Sequence, residues 1–140
     1  MKKFNFLDIT TADIAFEAYG KNLNELFANA ALAMFEVMIN TKQIRQKIKK
    51  SVEFKSIDLN GLLFSWLNGL LIFYGSENLA FSKFKVKIDE KKLTLKAECF
   101  GERIDPKKHE VKTEVKACTY HKMKIEKIND KRKAQVILDI

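Results

Sequence analysis

The sequence predicts an α+β domain in which two helices pack on about seven or eight mostly antiparallel strands. Two segments that begin near residues 22 and 58 carry apolar residues at helical spacing. From residue 80 onward apolar and polar residues instead alternate with period two, which is typical of half-buried strands. Turn residues separate most of these strands, which indicates local hairpins. The chain of 140 residues is long enough for one filled core, so we expect a single domain over residues 1–140.

A hairpin is predicted at the start of the chain, where residues 8–13 form a polar turn between apolar segments at 4–7 and 14–16. This turn contains two carboxylates and two hydroxyls. Asp13 alternates with the apolar residues that follow it, so we expect its side chain to face solvent or a site. Asp8 has the parity of the apolar residues before it, and we interpret it as a turn residue.

Both predicted helices begin at a residue that can cap them. Asn22 starts the first, with an acidic residue three positions later as a capping-box partner. Asp58 caps the second, which runs from Leu59 to about Tyr74 and is apolar around much of its circumference. Gly61 and Gly69 lower the helix propensity of this segment and would allow close packing against a neighbour.

The remaining segments are predicted from their alternation. Residues 42–50 are interpreted as a basic linker or helix extension on a solvated surface. In the strand near 80–88, one face is apolar and the other carries Phe81 with a row of lysines at 83, 85 and 87. Strands are predicted at about 51–58, 80–88, 93–99, 111–120, from Met123 to the turn at Asn129, and at 134–140.

The chain has a formal net charge of +8, with an acidic N-terminal third and basic segments after it. This distribution favours a cation near the N-terminal segment and a polyanionic partner elsewhere. Only three basic residues are Arg, so the excess suggests general electrostatics rather than base-specific reading. No apolar run approaches the ~20 residues of a membrane span, and no signal peptide is recognisable, so we expect a cytoplasmic protein.

Several kinds of catalytic or binding site find little support in the sequence. His109 and His121, the only histidines, lack partners at zinc-ligand spacing. Cys118 and His121 could suggest a nucleophile and its base, but strand parity places the two side chains on opposite faces. The two cysteines do not make a disulfide framework, and no glycine-rich nucleotide loop is present.

The two ends of the chain suggest a different site. Asp13 lies near the beginning and Asp139 near the end, each beside a predicted strand. We hypothesise that the ends meet and that oxygen ligands there hold Mg²⁺, Ca²⁺ or Mn²⁺ rather than zinc. On the residues alone, two surface carboxylates without a special role are the simpler explanation.

Short motifs distributed over the whole chain point to one family. They are Thr11-Ala12-Asp13-Ile14, Tyr19-Gly20, the helix start at Asn22, the segment 58–71 with Leu62-Leu63 and Trp66-Leu67, Gly101-Glu102, Lys108-His109, the block 114–121 and Leu138-Asp139-Ile140. Together they resemble the archease family, with Val115 to His121 as the most specific part. The family usually has His where this chain has Thr10, which leaves the consequence of that exchange open.

The resemblance implies a function and a site. Archeases are protein cofactors of the RtcB-type tRNA-splicing ligase, which joins exon halves using GTP and a divalent metal. We therefore expect a non-catalytic activator that promotes guanylylation of the ligase and multiple turnover. The resemblance also implies a site for a divalent cation, Ca²⁺ before Mg²⁺ or Mn²⁺, with Asp13 and Asp139 as side-chain ligands and Ile140 as a backbone or terminal-carboxylate ligand.

Three further residues match the family block without a role that follows from their chemistry. Lys116, Tyr120 and His121 either contact the partner or hold the fold. A rival function is a basic tRNA-binding or chaperone-like module that uses the lysines of residues 83–87 and 107–116. A metal-dependent hydrolase has less support, because no general acid or base is predicted beside the carboxylates.

Overall fold

Two antiparallel sheets enclose the helices in this protein, whose computed structural model describes residues 2–140. Residues 2–140 form seven strands: β1 (Phe4–Ile9), β2 (Asp13–Gly20), β3 (Ile48–Lys55), β4 (Leu79–Asp89), β5 (Thr94–Arg103), β6 (Ala117–Ile128) and β7 (Lys131–Asp139). They also form two α-helices, α1 (Leu23–Met38) and α2 (Leu59–Glu77), and a short 3-10 helix at Thr41–Gln43. The predicted α+β fold class is confirmed.

The strand order places the two ends of the chain side by side. One sheet has the order β1-β2-β7-β6 and the other β3-β5-β4, and every pairing is antiparallel. Helix α1 contacts β2 of the first sheet and β4 of the second, and α2 contacts β6 and all three strands of the second. The helices therefore lie between the sheets, and the outer faces of the two sheets look in opposite directions.

The predicted helix caps are both present. The Asn22 side chain accepts a hydrogen bond of 2.9 Å from the Glu25 N–H, and the Glu25 carboxylate accepts one from the Lys21 N–H. At α2 the Asp58 carboxylate accepts from the Gly61 N–H at 2.7 Å. Short polar side chains thus satisfy N–H groups that each helix start would otherwise leave without a partner.

Helix α2 packs deeply because of its small residues, as the sequence predicts. A methyl group added at Gly69 would clash with the ring of Phe54, so the absence of a side chain lets β3 approach the helix. The Phe54 ring in turn meets Trp66 edge to face, with ring centroids 6.4 Å apart. Trp66 is fully buried, and its indole N–H donates to the Phe27 carbonyl at 2.9 Å.

Two predicted segments are wrong in their boundaries. Strand β3 begins at Ile48 rather than residue 51, so the basic stretch 42–50 is partly strand and partly 3-10 helix. The strand predicted over 111–120 begins only at Ala117. The N–H groups of Lys112 and Thr113 donate to the last carbonyls of α1 instead of to a neighbouring strand. Val111 and Thr113 are exposed and only Val115 is buried, so the alternation of this stretch does not correspond to a face that packs on the core.

Irregular pairing moves two other residues to the face opposite the predicted one. The β1–β2 register shifts between Phe6 and Asp8, so Asp8 lies within β1 opposite Ala15 and not in the turn. The β4–β5 register shifts between Phe81 and Lys83, so Phe81 is fully buried although it has the parity of the lysines. Assigning side chains to faces by odd or even position assumes an unbroken ladder. Each irregularity in the pairing reverses the faces of the residues beyond it.

Neither described helix is long and apolar enough to cross a membrane.

Candidate functional site

Asp13 and Asp139, 126 residues apart in the chain, lie directly opposite each other at the adjoining ends of β2 and β7. The Ile140 N–H donates to the Ala12 carbonyl at 3.0 Å, and the Lys116 N–H donates to the Asp139 carbonyl at 2.7 Å. Main-chain hydrogen bonds on both sides therefore fix Asp139 in place. The predicted meeting of the two ends of the chain is confirmed.

The main-chain hydrogen bonds show which type of ladder pair Asp13 and Asp139 form, and therefore how far apart their Cα atoms are. Because the Ile140 N–H bonds to the residue before Asp13, Asp13 and Asp139 form a non-hydrogen-bonded pair of the ladder, in which the Cα atoms are about 4.5 Å apart. Both side chains project from the outer face, since Ile14 and Leu138 beside them are buried. Like charges directly opposite each other on a sheet destabilise it. The pair therefore favours a cation between its carboxylates.

Thr10 organises the turn that carries Asp13. Its hydroxyl oxygen accepts the N–H groups of Ala12 and Asp13, at 3.1 and 2.9 Å. The hydroxyl proton can be donated to the Asp13 carboxylate, whose Oδ1 lies 3.2 Å away, or to the Asp13 carbonyl oxygen at 3.3 Å. The Thr10 N–H also donates to the Asp13 carbonyl at 2.9 Å. Thr10 is thus a direct neighbour of the predicted ligand.

The oxygen atoms at this site are suitable ligands for a hard cation. Carboxylate and main-chain oxygens are the ligands of Ca²⁺ and Mg²⁺, and Ca²⁺ takes them at about 2.3–2.6 Å in flexible geometry. Residues 2–140 contain no group of three or more His, Cys, Asp or Glu side chains placed to hold a metal. A cation between Asp13 and Asp139 would therefore complete its shell with the main-chain oxygen of Ile140, water or a partner. Nothing in the site supplies the sulfur or imidazole that zinc prefers.

The three predicted contact residues lie along β6, beside this site. Lys116 immediately precedes the strand and is exposed. Pairing of β6 with β7 is interrupted between Thr119 and Lys124, so Tyr120 and His121 fall in an irregular, exposed part of the strand. Tyr120 stacks flat on Phe64 of α2, with ring centroids 3.9 Å apart. Lys116 and Tyr120 thus offer side chains at the surface.

The environment of Cys118 disagrees with a nucleophile. Its side chain is buried, and burial raises the pKa of the thiol to about 12, so the thiol stays protonated at neutral pH. The Asn68 side chain both accepts from the Cys118 N–H and donates to its carbonyl, at 2.9 and 3.1 Å. Asn68 thereby satisfies the open edge of β6 as a neighbouring strand would. His121 lies outside at the surface.

The motifs Gly101-Glu102 and Lys108-His109 meet in a buried hydrogen bond that sequence reasoning missed. His109 Nδ1 accepts the Asp105 N–H at 2.9 Å, so its proton lies on Nε2, 3.1 Å from a Glu102 carboxylate oxygen. The Arg45 N–H donates to the same carboxylate at 2.7 Å and, against the effect of burial, lowers the pKa of Glu102. Lys108 at 3.7 Å adds to this effect. The cluster ties three chain segments together.

These features define a class of protein: a two-sheet α+β domain that carries paired carboxylates where the two ends of its chain meet. The model of the archease protein family (MTH1598/TM1083) matches residues 4–140. The chain belongs to the archease family, as its motifs predict.

Relatives in sequence and structure span the chain. The protein archease of Sulfurisphaera tokodaii is 53% identical over 126 residues, which are 90% of each chain. The solution structure of Methanobacterium thermoautotrophicum protein 1598 is similar with a TM-score of 0.85 at 45% identity, and covers 100% of both chains. The crystal structure of a Thermotoga maritima archease, called a possible chaperone, is similar with a TM-score of 0.65 at 26% identity, over 94% of this chain and 93% of that one.

Proposed function

We propose that this protein activates an RtcB-type tRNA-splicing ligase by promoting its guanylylation and its multiple-turnover joining of tRNA exon halves. Membership of the archease family over residues 4–140 supports this function. The single structural observation that carries it is the opposed pair of carboxylates, Asp13 and Asp139, on an exposed outer face. Such a pair suits a contact with a partner through a metal ion better than it suits stability of the isolated domain.

The site would bind Ca²⁺, with Mg²⁺ or Mn²⁺ as alternatives, through Asp13, Asp139 and the main-chain oxygen of Ile140. When bound, the cation would neutralise the two carboxylates and offer free coordination positions to oxygen ligands. Thr10 would orient the Asp13 carboxylate, and the main-chain bonds of Ala12 and Lys116 would hold the β7 end against β2 and β6.

The protein acts in this proposal as a cofactor of the ligase and does not itself catalyse the reaction. Among residues 2–140 no ion pair joins Asp13 or Asp139 to a basic side chain, so both carboxylates stay available to a cation. Lys116, Tyr120 and His121 would contact the ligase beside the cation, because they lie on or next to β6, whose first residue, Ala117, pairs with Asp139.

The decisive experiment measures guanylylation and multiple-turnover ligation by the cognate ligase, with and without this protein. We expect stimulation that Asp13→Asn and Asp139→Asn each abolish, while circular dichroism shows both variants folded. Asp130→Asn is the matched control, because it removes the same charge from an exposed turn at the other end of β7, and we expect it to stimulate fully.

Absence of stimulation over a broad range of metal and salt concentrations would refute activation. Full stimulation by both site variants would leave activation standing and remove the carboxylate pair from it.

A further inference from the structure

The outer face of the three-stranded sheet carries a lysine face, which we define by the outward-pointing residues of β3, β4 and β5. Alternate residues of β4 point outward, and Lys83, Lys85 and Lys87 are all exposed. Their partners across the ladder on β5 are Phe100, Glu98 and Lys96 in that order. At about 6.7 Å between alternate residues, the three β4 lysines form a row of charge roughly 13 Å long.

Most of this positive charge is uncompensated. Glu98 pairs with Lys49 of β3 at 3.2 Å, but no ion pair among residues 2–140 involves Lys83, Lys85, Lys87 or Lys96. Two carboxylates lie on the same face, Glu98 opposite Lys85 and Glu53 opposite Lys96 in the ladder. Lys49 offsets the charge of Glu98 and Glu53 offsets that of Lys96, so the β4 row keeps an excess of three positive charges. Such an excess creates a local positive potential that attracts a polyanion.

An aromatic ring lies within the charged row. Phe100 is partly exposed and is flanked in the ladder by Lys49 on one side and Lys83 on the other. The ammonium groups of Lys83 and Lys85 lie 5.8 and 5.5 Å from the centre of its ring. The ring of Phe100 does not pack against the hydrophobic core, and its face is covered by the two flexible lysine side chains. A nucleobase could stack on this face while the lysines turn to the neighbouring phosphates.

The lysine face is also concave and open. A recess of about 520 Å³ lies between its strands, and its outward-pointing lining consists of Lys85, Lys87 and Lys96 together with Ser51, Glu53 and Glu98. Both helices lie on the opposite side of this sheet, so they do not cover the face. A flexible polymer could therefore run across the strands without displacing any described part of the protein.

We propose that the lysine face binds single-stranded nucleic acid, with Phe100 stacked on a base and Lys83, Lys85 and Lys87 contacting phosphates. Open sheets that combine stacking aromatic side chains with basic neighbours recognise single strands in this way. Lysine lacks the bidentate fork of arginine, so binding would tolerate many sequences. An acidic polypeptide would match the charge but would leave Phe100 without a planar partner.

This function does not depend on the proposed activation of the ligase. The lysine face and the pair Asp13–Asp139 lie on the outer faces of different sheets, with the helices between them. Binding of the nucleic acid should therefore proceed equally in EDTA and in Ca²⁺, and the Asp13→Asn variant should bind as the unaltered protein does.

Fluorescence anisotropy with labelled 20-nucleotide polyuridine and polythymidine tests the proposal, from low to physiological salt. Replacing Lys83, Lys85 and Lys87 together by Gln should weaken binding at least tenfold and reduce the slope of log affinity against log salt by about two. Phe100→Leu keeps an apolar side chain without the ring and should weaken binding about tenfold at unchanged salt slope, whereas Phe100→Tyr should bind normally. The ratio of the affinities for the two polymers measures the preference for RNA over DNA.

The matched control replaces three other exposed lysines, Lys42, Lys107 and Lys127, by Gln and changes the net charge equally. We expect it to retain the affinity of the unaltered protein. Equal weakening by the two triple variants would overturn the proposal in favour of net charge alone. Absence of binding, or competition by polyglutamate as strong as by unlabelled polyuridine, would also overturn it. Thermal unfolding of each variant separates lost binding from lost fold.

Discussion

At the scale of single residues, Thr10 is the side chain on which the proposed metal site depends most. Its one hydroxyl accepts two N–H groups of the turn and can donate to the Asp13 carboxylate. Groups that orient a metal ligand affect the affinity of a site almost as strongly as ligands do. One short oxygen thus both shapes the turn and reaches the predicted ligand.

We predict that Thr10→Val, which keeps the shape and removes the hydroxyl, weakens Ca²⁺ binding about tenfold in isothermal titration calorimetry. It should also lower the free energy of unfolding by about 0.5–1.5 kcal/mol, because the N–H groups of Ala12 and Asp13 in this exposed turn lose their acceptor to water. Thr11→Val is the matched control at the exposed neighbouring position and should change neither quantity appreciably. Equal Ca²⁺ affinity in both variants would show that Thr10 does not position Asp13.

At the scale of elements, the glycines of α2 separate two reasons for a small residue in a helix. Gly69 faces the Phe54 ring of β3, whereas a methyl group at Gly75 would meet no atom within 4 Å. The first glycine is needed for the approach of a neighbouring strand. The second lowers helix propensity with no packing gain, by about 1 kcal/mol relative to alanine.

The two alanine variants should therefore differ in sign. We expect Gly69→Ala to lower the free energy of unfolding by about 1–3 kcal/mol, because the Phe54 ring has to move against Trp66. We expect Gly75→Ala to raise it by about 0.5–1 kcal/mol. Urea unfolding followed by circular dichroism measures both values. Stabilisation by Gly69→Ala would mean that the β3–α2 contact is looser than the structure has it.

Elements also determine which side chains share a face. The shift in the β1–β2 register places Asp8 on the same outer face as Asp13, and the shift in β4 buries Phe81 while its lysine neighbours stay outside. Both the proposed metal site and the lysine face are therefore bounded by an irregularity of a strand. Irregular pairing of β6 likewise exposes Tyr120 and His121.

At the scale of the whole molecule, the repulsion between Asp13 and Asp139 acts where β2 joins β7, the last strand of the chain. A cation bound there links β2 to β7 and should stabilise the folded state by about 2.7 kcal/mol at a concentration one hundred times its dissociation constant. Without a cation, the repulsion between Asp13 and Asp139 weakens the pairing of β2 with β7.

We predict that Asp13→Asn raises the melting temperature in EDTA, because it relieves the repulsion, and eliminates the further rise that Ca²⁺ produces in the unaltered protein. Differential scanning calorimetry in EDTA and in Ca²⁺ measures both effects. Asp130→Asn removes a distant exposed charge and should keep the rise with Ca²⁺. A Ca²⁺-dependent rise that persists in Asp13→Asn would place the cation elsewhere.

The sequence by itself determined the fold class, both helices with their caps, most strands and the family, because each of these depends on local patterns. Asn22 and Asp58 mark helix starts through short polar side chains, and alternation marks β2 and β4. It also suggested the pair Asp13–Asp139, although only as a hypothesis, since a sequence contains no direct sign that residues 126 positions apart are opposite.

Only the tertiary structure decided which side chains meet and on which face. The register of β2 against β7 fixes Asp13 opposite Asp139, and the return of the chain after β5 brings His109 to Glu102. A shift of one residue in a strand reverses every following side chain, and nothing local in the sequence reveals it. For that reason the faces on which Asp8, Phe81 and Tyr120 lie depend on the pairing between strands. The bounds of the helices depend on residues within and next to each helix.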